Sequence, residues 1–448
     1  MYDFCEMAYG VKKVQIKFNS NRLTHFGGIY LFHLFLKQIG WRHWLGTHLK
    51  YIQRNNDYSI AELIISLLYP IILGLNRIEI SKLLGHNGVF KLLIGLDRFP
   101  DPTTLRRFLI RGSEEVLVPL TRLHDQWRKY FINFIVPDKK LLLDMDSTVC
   151  TVYGHQEGAT KGYNPQHRGK RSYHPLFCFE SNSGTSLYGR LRQGNAYTSD
   201  GILDYLQSFV TNYPPQEYTI QARGDSGFYN KNIVNLLSQN NIEFAIVADM
   251  TSPLKNQVIG VAYQPARGFN NQYSFGEILY QPIKWDRPYR FCIIRKKLEP
   301  EEADQSTLFT VNAYSYSAIV TNKHLTPAHV WNFYNGRNQC ERNIRSLKED
   351  YYLGNIPTQQ FKANALYLEI LLWAYDLIKW FQQLCLPDSD HHKTLATLRN
   401  ELLLMPGSFA QHGSKQILRF PKNSPQQNTF WFTKKKIGKL KKLNIELA

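Results

Sequence analysis

The sequence has no cysteine pair at metal-binding spacing. Its six cysteines (Cys5, Cys150, Cys178, Cys292, Cys340 and Cys385) are scattered over 448 residues, which argues against both a zinc finger and a disulfide framework. Acidic residues are scarce: 36 stand against 54 lysines and arginines, for a net charge of +18. That balance suits a polyanionic partner, with nucleic acid first and an anionic membrane surface second. Long hydrophobic runs are also missing. The most apolar stretch, Leu63 to Leu75, is too short to span a bilayer and contains Pro70, with Glu62 beside it. The opening Met1-Tyr-Asp-Phe-Cys-Glu lacks a basic region followed by an apolar run, so no signal peptide and a cytoplasmic location are expected. Phosphate loops are absent, because Gly154-His-Gln-Glu-Gly158 and Gly224-Asp-Ser-Gly227 lack the required lysine and spacing. Ser226 sits in a protease-like string but in no GxSxG elbow.

What is present is a chain that folds. Hydrophobic residues make up 43% and aromatics 14%, and the length suits two or three domains with a large core. Residues 1–135 read as a helical N-terminal domain. Gly28-Ile-Tyr-Leu-Phe-His-Leu-Phe-Leu, Ile60-Ala-Glu-Leu-Ile-Ile-Ser-Leu-Leu and Ile78-Glu-Ile-Ser-Lys-Leu-Leu all carry helical spacing. Asp101-Pro-Thr-Thr opens a further helix with Arg106 and Arg107 early in it. Such short helices suit DNA reading or an ordinary cap over a catalytic core, and the pattern does not separate the two.

Strand signals begin near residue 136. Leu141-Leu-Leu-Asp144-Met-Asp146-Ser is an apolar run with two aspartates on one face. Tyr173-His-Pro-Leu-Phe-Cys-Phe and Ser186-Leu-Tyr-Gly-Arg-Leu-Arg follow as strands, then a helix over 201–213. Next come a strand from Tyr218 ending in Gly224-Asp225, a helix over 230–239 and a strand over 243–249. Three strands, helix, strand, helix, strand is the order of a ribonuclease-H-like mixed α/β sheet. The core is therefore expected over 136–249, with a β-rich insertion over 250–322, the last core helices over 323–390 and a basic C-terminal region over 391–448. In the last core part Thr326-Pro327 caps a helix, and Leu366, Ile370, Trp373 and Leu377 form a buried stripe. The C-terminal region carries Lys434-Lys-Lys-Ile-Gly-Lys-Leu-Lys-Lys442, either a solvated end or a phosphate contact.

Chemistry centres on three carboxylates: Asp146 in the first strand, Asp225 at the end of the fourth, and Glu341 on a late helix. In the expected sheet the first and fourth strands are neighbours, and the late helix can bring Glu341 to them. Carboxylates so grouped repel unless a cation joins them. Oxygen-only ligands point to Mg²⁺, with Mn²⁺ as substitute, over zinc. Two such ions serve in-line phosphoryl displacement. Read as one continuous helix, residues 334–348 place Tyr334, Arg337, Glu341 and Lys348 within an arc of roughly 60°. Arg337 and Lys348 would then hold phosphates of the substrate strand, with Tyr334 hydrogen-bonding or stacking nearby. The plainer reading is an i,i+4 pair of Arg337 and Glu341 on a solvated face. Asp144 competes with Asp146 for the first place; Asp146 is preferred because it opens Asp-Ser-Thr at the strand's end. Asp249 reads as a surface aspartate. His155, His167 and His174 fit no zinc spacing.

Position for position, residues 334–348 carry the signature Tyr-x2-Arg-x3-Glu-x6-Lys. The chain thereby resembles the DDE transposases of bacterial insertion sequences, in the large cut-and-paste group that this signature marks. Tyr153-Gly-His-Gln-Glu-Gly-Ala, Gly162-Tyr-Asn-Pro and Arg168-Gly-Lys-Arg-Ser-Tyr-His-Pro-Leu look like one branch of that group. The resemblance is good over about 140–385 and looser before 135. It implies a catalytic triad of Asp146, Asp225 and Glu341 and a β-rich insertion before the glutamate. It also implies cleavage at terminal inverted repeats, joining of 3′ ends to target DNA, a hairpin intermediate, and a homodimer on DNA at the bacterial nucleoid. A transposase-derived DNA-binding protein without catalysis, or a metal-dependent nuclease that cuts without joining, are the alternatives.

Overall fold

The structure, a computed structural model, describes residues 16–52, 57–165, 167–269, 271–298, 310–311 and 314–440. Cys5, Lys441 and Lys442 lie outside them. The chain begins with a short strand, β1 (Leu23–Thr24), and helices α1 (Ile29–Gln38), α2 (Trp41–His48) and α3 (Ile60–Ile72). Ser59 and Glu62 close a capping box on α3, where each satisfies a backbone N–H that the first turn leaves unpaired. Two short helices, α4 (Lys82–His86) and α5 (Gly88–Leu93), precede α6 (Pro102–Ile135). The helix expected at Asp101-Pro is α6, and it runs on through Pro119 for 34 residues.

The core sheet follows: β2 (Lys140–Ser147), β6 (Leu176–Glu180), β7 (Ser186–Arg190), helix α7 (Ile202–Asn212), β8 (Thr219–Gly224), helix α8 (Lys231–Gln239) and β9 (Glu243–Ala248). Between β2 and β6 a small side sheet is formed by β3 (Cys150–Thr151), β4 (Thr160–Lys161) and β5 (Arg171–Tyr173). The strand expected from Tyr173 to Phe179 is thus split. His174-Pro175 separates β5 in the side sheet from β6 in the core, as a proline without an N–H favours.

Core strand order is β7-β6-β2-β8-β9, with β6 antiparallel to both neighbours and β2, β8 and β9 parallel. This is the ribonuclease-H-like arrangement. After helix α9 (Ser252–Ile259) the sheet continues past β9 through β13 (Tyr314–Thr321), β11 (Tyr289–Lys297) and β10 (Tyr273–Tyr280), all antiparallel, with β12 (Thr310–Val311) beside β13. The β-rich segment therefore lengthens the core sheet.

Helices α10 (Pro327–Asn335), α11 (Asn338–Glu349), α12 (Phe361–Cys385) and α13 (Leu395–Leu398) come next, then the hairpin β14 (Gly407–His412)–β15 (Lys415–Arg419) and α14 (Gln427–Lys439). Thr326 caps α10 by accepting the His329 N–H, with Pro327 at its first position. Residues 334–348 are not one helix. Gly336 and Arg337 interrupt them, where Arg337 N–H bonds to Tyr334 O (3.0 Å) and Cys340 N–H to Arg337 O (2.8 Å) in i→i−3 fashion. The expected stripe on α12 is part of a helix buried nearly all round, between α6 and β7. Its buried acids are satisfied: Glu369 contacts His124, and Asp376 contacts Arg128 and accepts from the Ser186 N–H and hydroxyl. Helices α1–α3, α6 and α12 share one hydrophobic core. No helix among the described residues is long and apolar enough to cross a membrane.

Candidate active site

The site forms where β2 and β8 end. Their parallel register pairs Asp144 with Arg223 and Met145 with Gly224, so the next residues, Asp146 and Asp225, emerge side by side at the carboxyl ends of the strands. Each carboxylate is oriented by local backbone. Asp146 Oδ1 accepts the Ser147 N–H (2.8 Å), and Asp225 Oδ1 accepts the Gly227 N–H (2.9 Å) at the start of a single 3-10 turn.

Arg337 closes the site from above. Its Nη2 lies 3.0 Å from Asp146 Oδ1 and 3.6 Å from Asp225 Oδ2, and donates to Met145 O at 3.2 Å. The break between α10 and α11 makes this possible: Arg337 stands at the N-cap of α11, so its side chain turns back to the strand ends. Its Nε is buried without a hydrogen-bond partner among the described residues. Burial, opposed by Arg337 and reinforced by Asp225 and Glu341, lifts the Asp146 carboxyl to about 6. Arg337 itself is pushed above its ordinary value, its burial outweighed by the two aspartates.

Glu341 lies in the first turn of α11, exposed and near enough to Asp146 to affect its ionisation. Tyr334, at the end of α10, is half-buried beside Arg337 and stacks on Trp331 with ring centroids 5.9 Å apart. Burial pushes its phenol up. Lys348 lies two turns beyond Glu341, within electrostatic reach of Cys150 of the side sheet, where its charge offsets part of the burial that raises the thiol. Asp146, Asp225 and Arg337 are thus in direct contact, with Tyr334 and Glu341 at their edge and Lys348 farther along α11.

Asp144 has a different place. It is fully buried, and both its oxygens are taken by Arg223 (Nε–Oδ1 2.6 Å, Nη2–Oδ2 2.8 Å). Arg223 also donates to Ser181 Oγ (2.8 Å) and to Phe333 O (2.8 Å), which ties α10 to the sheet. Arg223 has no role in the expectations above, although a lone arginine in an apolar strand is a signal that a buried acid faces it. Asp249 follows β9 and is exposed. His174 is buried, with its ring between Ser147 Oγ (2.9 Å) and Ala196 O (3.0 Å). The described cysteines are buried and free.

Among the described residues, no three His, Cys, Asp or Glu side chains stand close enough to make a ready metal site. The donor chemistry nonetheless fits a hard cation. Two carboxylates lie together with a third nearby, all ligands are oxygen, and a guanidinium contacts both aspartates where a cation would be attracted.

A family model described as transposase DDE domain, group 1, matches residues 7–442. The chain belongs to this DDE transposase family. No curated protein matches it. Among solved structures it is similar to a piggyBac transposase, seen by cryo-electron microscopy as a synaptic complex with hairpin DNA. That likeness has a TM-score of 0.42 and 12% identity, over 84% of this chain and 80% of the other.

Proposed function

We propose that this DDE transposase family member is the cut-and-paste enzyme of a bacterial insertion sequence, binding terminal inverted repeats, cutting the DNA strands there and joining the 3′ ends to a target. The observation that carries this reading is the meeting of Asp146 and Asp225 at adjacent parallel strand ends under one arginine, with Glu341 one turn away. Divalent ions are the general cofactors of DDE families, and Asp146, Asp225 and Glu341 are the residues that would hold Mg²⁺ or Mn²⁺ here. What such ions supply when bound is acidification of the attacking water or 3′-hydroxyl and stabilisation of the leaving oxygen.

The chain's own groups have separable tasks. Arg223 and Asp144 fix α10 against the sheet and so set where Tyr334 and Arg337 stand. Arg337 keeps the two aspartates together before substrate arrives, and its planar fork is suited to a backbone phosphate near the cleavage point. Lys348 and Tyr334 flank the strand end, where a hairpin intermediate would be handled. The net charge of +18 supplies long-range attraction to DNA, with the helical N-terminal part and the lysines of α14 as further contacts. Joining two element ends calls for a homodimer in the DNA complex. The test is incubation with a duplex carrying the inverted repeat, with and without Mg²⁺ and a target duplex. Metal-dependent 3′ nicking followed by strand transfer supports the reading; nicking without joining marks a nuclease, and tight binding without cleavage in Mg²⁺ or Mn²⁺ marks a silent DNA-binding protein.

A further inference from the structure

The loop from Gln193 to Asp200 packs against the turn that carries Asp225 and is linked through His174 to the residue after Asp146. On one side, Thr198 lies against the turn that carries Asp225: a Cβ at Gly227 would come within 2.4 Å of Thr198 Cγ2, and Gly227 N–H is the group bonded to Asp225. On the other, Ala196 O is bound by His174, whose second ring nitrogen contacts Ser147, the residue after Asp146. The loop is pinned from beneath by Arg192, only 6% exposed. One nitrogen of Arg192, Nη1, donates to three loop carbonyls: Tyr197 O (2.7 Å), Thr198 O (3.0 Å) and Asp200 O (2.9 Å). Asp200 in turn accepts the Tyr197 N–H (3.0 Å).

Burying an arginine is costly, and what this one fixes is the backbone of the loop that carries Tyr197, together with His174 O (2.8 Å). The Tyr197 side chain is 80% exposed and has no hydrogen-bond or ring partner among the described residues. Tyr163, 76% exposed, follows Gly162 on the segment that packs against this loop. Gly162 presses on the loop so closely that a Cβ there would lie 1.9 Å from Gly194 O, and Thr160 Oγ1 bonds Asn195. Lys161 of β4, Arg171 of β5 and, between these strands, Arg168 and Lys170 are exposed. An isolated exposed tyrosine needs no explanation. Two exposed tyrosines on segments packed against each other, one on a pinned loop that touches the Asp225 turn and the other among cations, have the make-up of a single-strand binding surface, in which rings stack on bases and cations track phosphates.

We propose that Tyr197, with Tyr163, is a stacking platform for an unpaired nucleobase of the DNA strand at the cleavage point, and that the side-sheet cations hold that strand's backbone. This rests on the reading that the chain acts on DNA ends. Stacking tolerates any base, so the platform recognises an unpaired end and not a sequence.

The test uses the full chain without metal and a duplex end bearing 2-aminopurine beside the cleavage point, with either a short unpaired overhang or a blunt end. Wild type should change the probe's fluorescence on the overhang. Tyr197→Ala should remove that change and weaken overhang binding by roughly 10- to 100-fold, with blunt-duplex binding altered less than about twofold and melting temperature unchanged. Tyr197→Phe should retain both. Equal overhang binding by Tyr197→Ala and wild type, or equal loss in the Phe and Ala variants, would overturn the platform while leaving cleavage by the triad intact. A wild type that neither binds nor cuts either DNA would overturn the proposed function along with it.

Discussion

Removing Arg337 tests what holds the two aspartates together. At an effective dielectric of about 20, contacts of 3.0 and 3.6 Å each correspond to roughly 5 kcal/mol of attraction before desolvation is counted. Desolvation offsets much of that, water screens the Asp225 contact, whose side chain is 38% exposed, and loss of the partner from a buried pair such as Arg337 with Asp146 costs about 3–5 kcal/mol. In Arg337→Gln the shorter amide carries no charge, and Asp146 and Asp225 face each other without a counter-charge. The variant should melt lower than wild type in the absence of divalent metal, by about 5 °C or more. Mg²⁺ or Mn²⁺ should then raise its melting temperature more than that of wild type, because the cation no longer competes with a guanidinium. Arg337→Lys should fall between them, keeping the charge without the fork. Thermal melts of the three proteins, with and without Mg²⁺, give the answer. Equal melting temperatures and equal metal responses would refute the idea that Arg337 is the internal counter-ion of the site.

Other perturbations bear on the support around the site and on pH. Asp144→Asn leaves Arg223 without its buried acid and should cost about 3–5 kcal/mol, read as a lower denaturation midpoint and loss of nicking; full activity would mean that α10 is positioned otherwise. With Asp146 lifted to about 6, nicking at sub-saturating Mg²⁺ should climb as pH rises through 6, whereas a flat rate from pH 5 to 8 would contradict the assignment. Burial, aided by Arg42 and Lys37, lowers His33 to about 4, and its ring contacts the Tyr69 hydroxyl at 3.0 Å. Between that value and the ordinary 6.5 the unfolded chain binds a proton that the folded chain refuses, so stability falls as pH drops through the window and is unaffected above it. The loss approaches roughly 3 kcal/mol near pH 4, and denaturation midpoints of His33→Gln should be less sensitive to pH there than those of wild type.

Much of the core was legible because its signals are local. Alternation and turn residues located the core strands, and the strand and helix order was enough to make Asp146 and Asp225 neighbours. What escaped depends on contacts between distant residues. The break at Gly336 and Arg337 was hidden because Tyr334, Arg337, Glu341 and Lys348 keep a helical phase in sequence, while Arg337 is drawn back to the strand ends by two carboxylates more than a hundred residues upstream. Arg223 was visible as a residue but not as a partner, since Asp144 and Phe333 lie far from it in the chain. Tyr197 gave no signal, because its importance comes from Arg192 beneath it and Asp225 across a glycine contact. Likewise the helices before β2 do not announce that they share a core with α12, which comes more than 220 residues later.

Whether Asp146, Asp225 and Glu341 together cut DNA is read from cleavage of an inverted-repeat duplex in Mg²⁺ by wild type, Glu341→Gln and Asp225→Asn, with binding measured in parallel. Wild type should nick the 3′ strand only with metal, either variant should do so at least about a hundredfold less, in line with lost transition-state charge stabilisation, and all three should bind the duplex. Undiminished cleavage by Glu341→Gln would show that the three carboxylates do not act together.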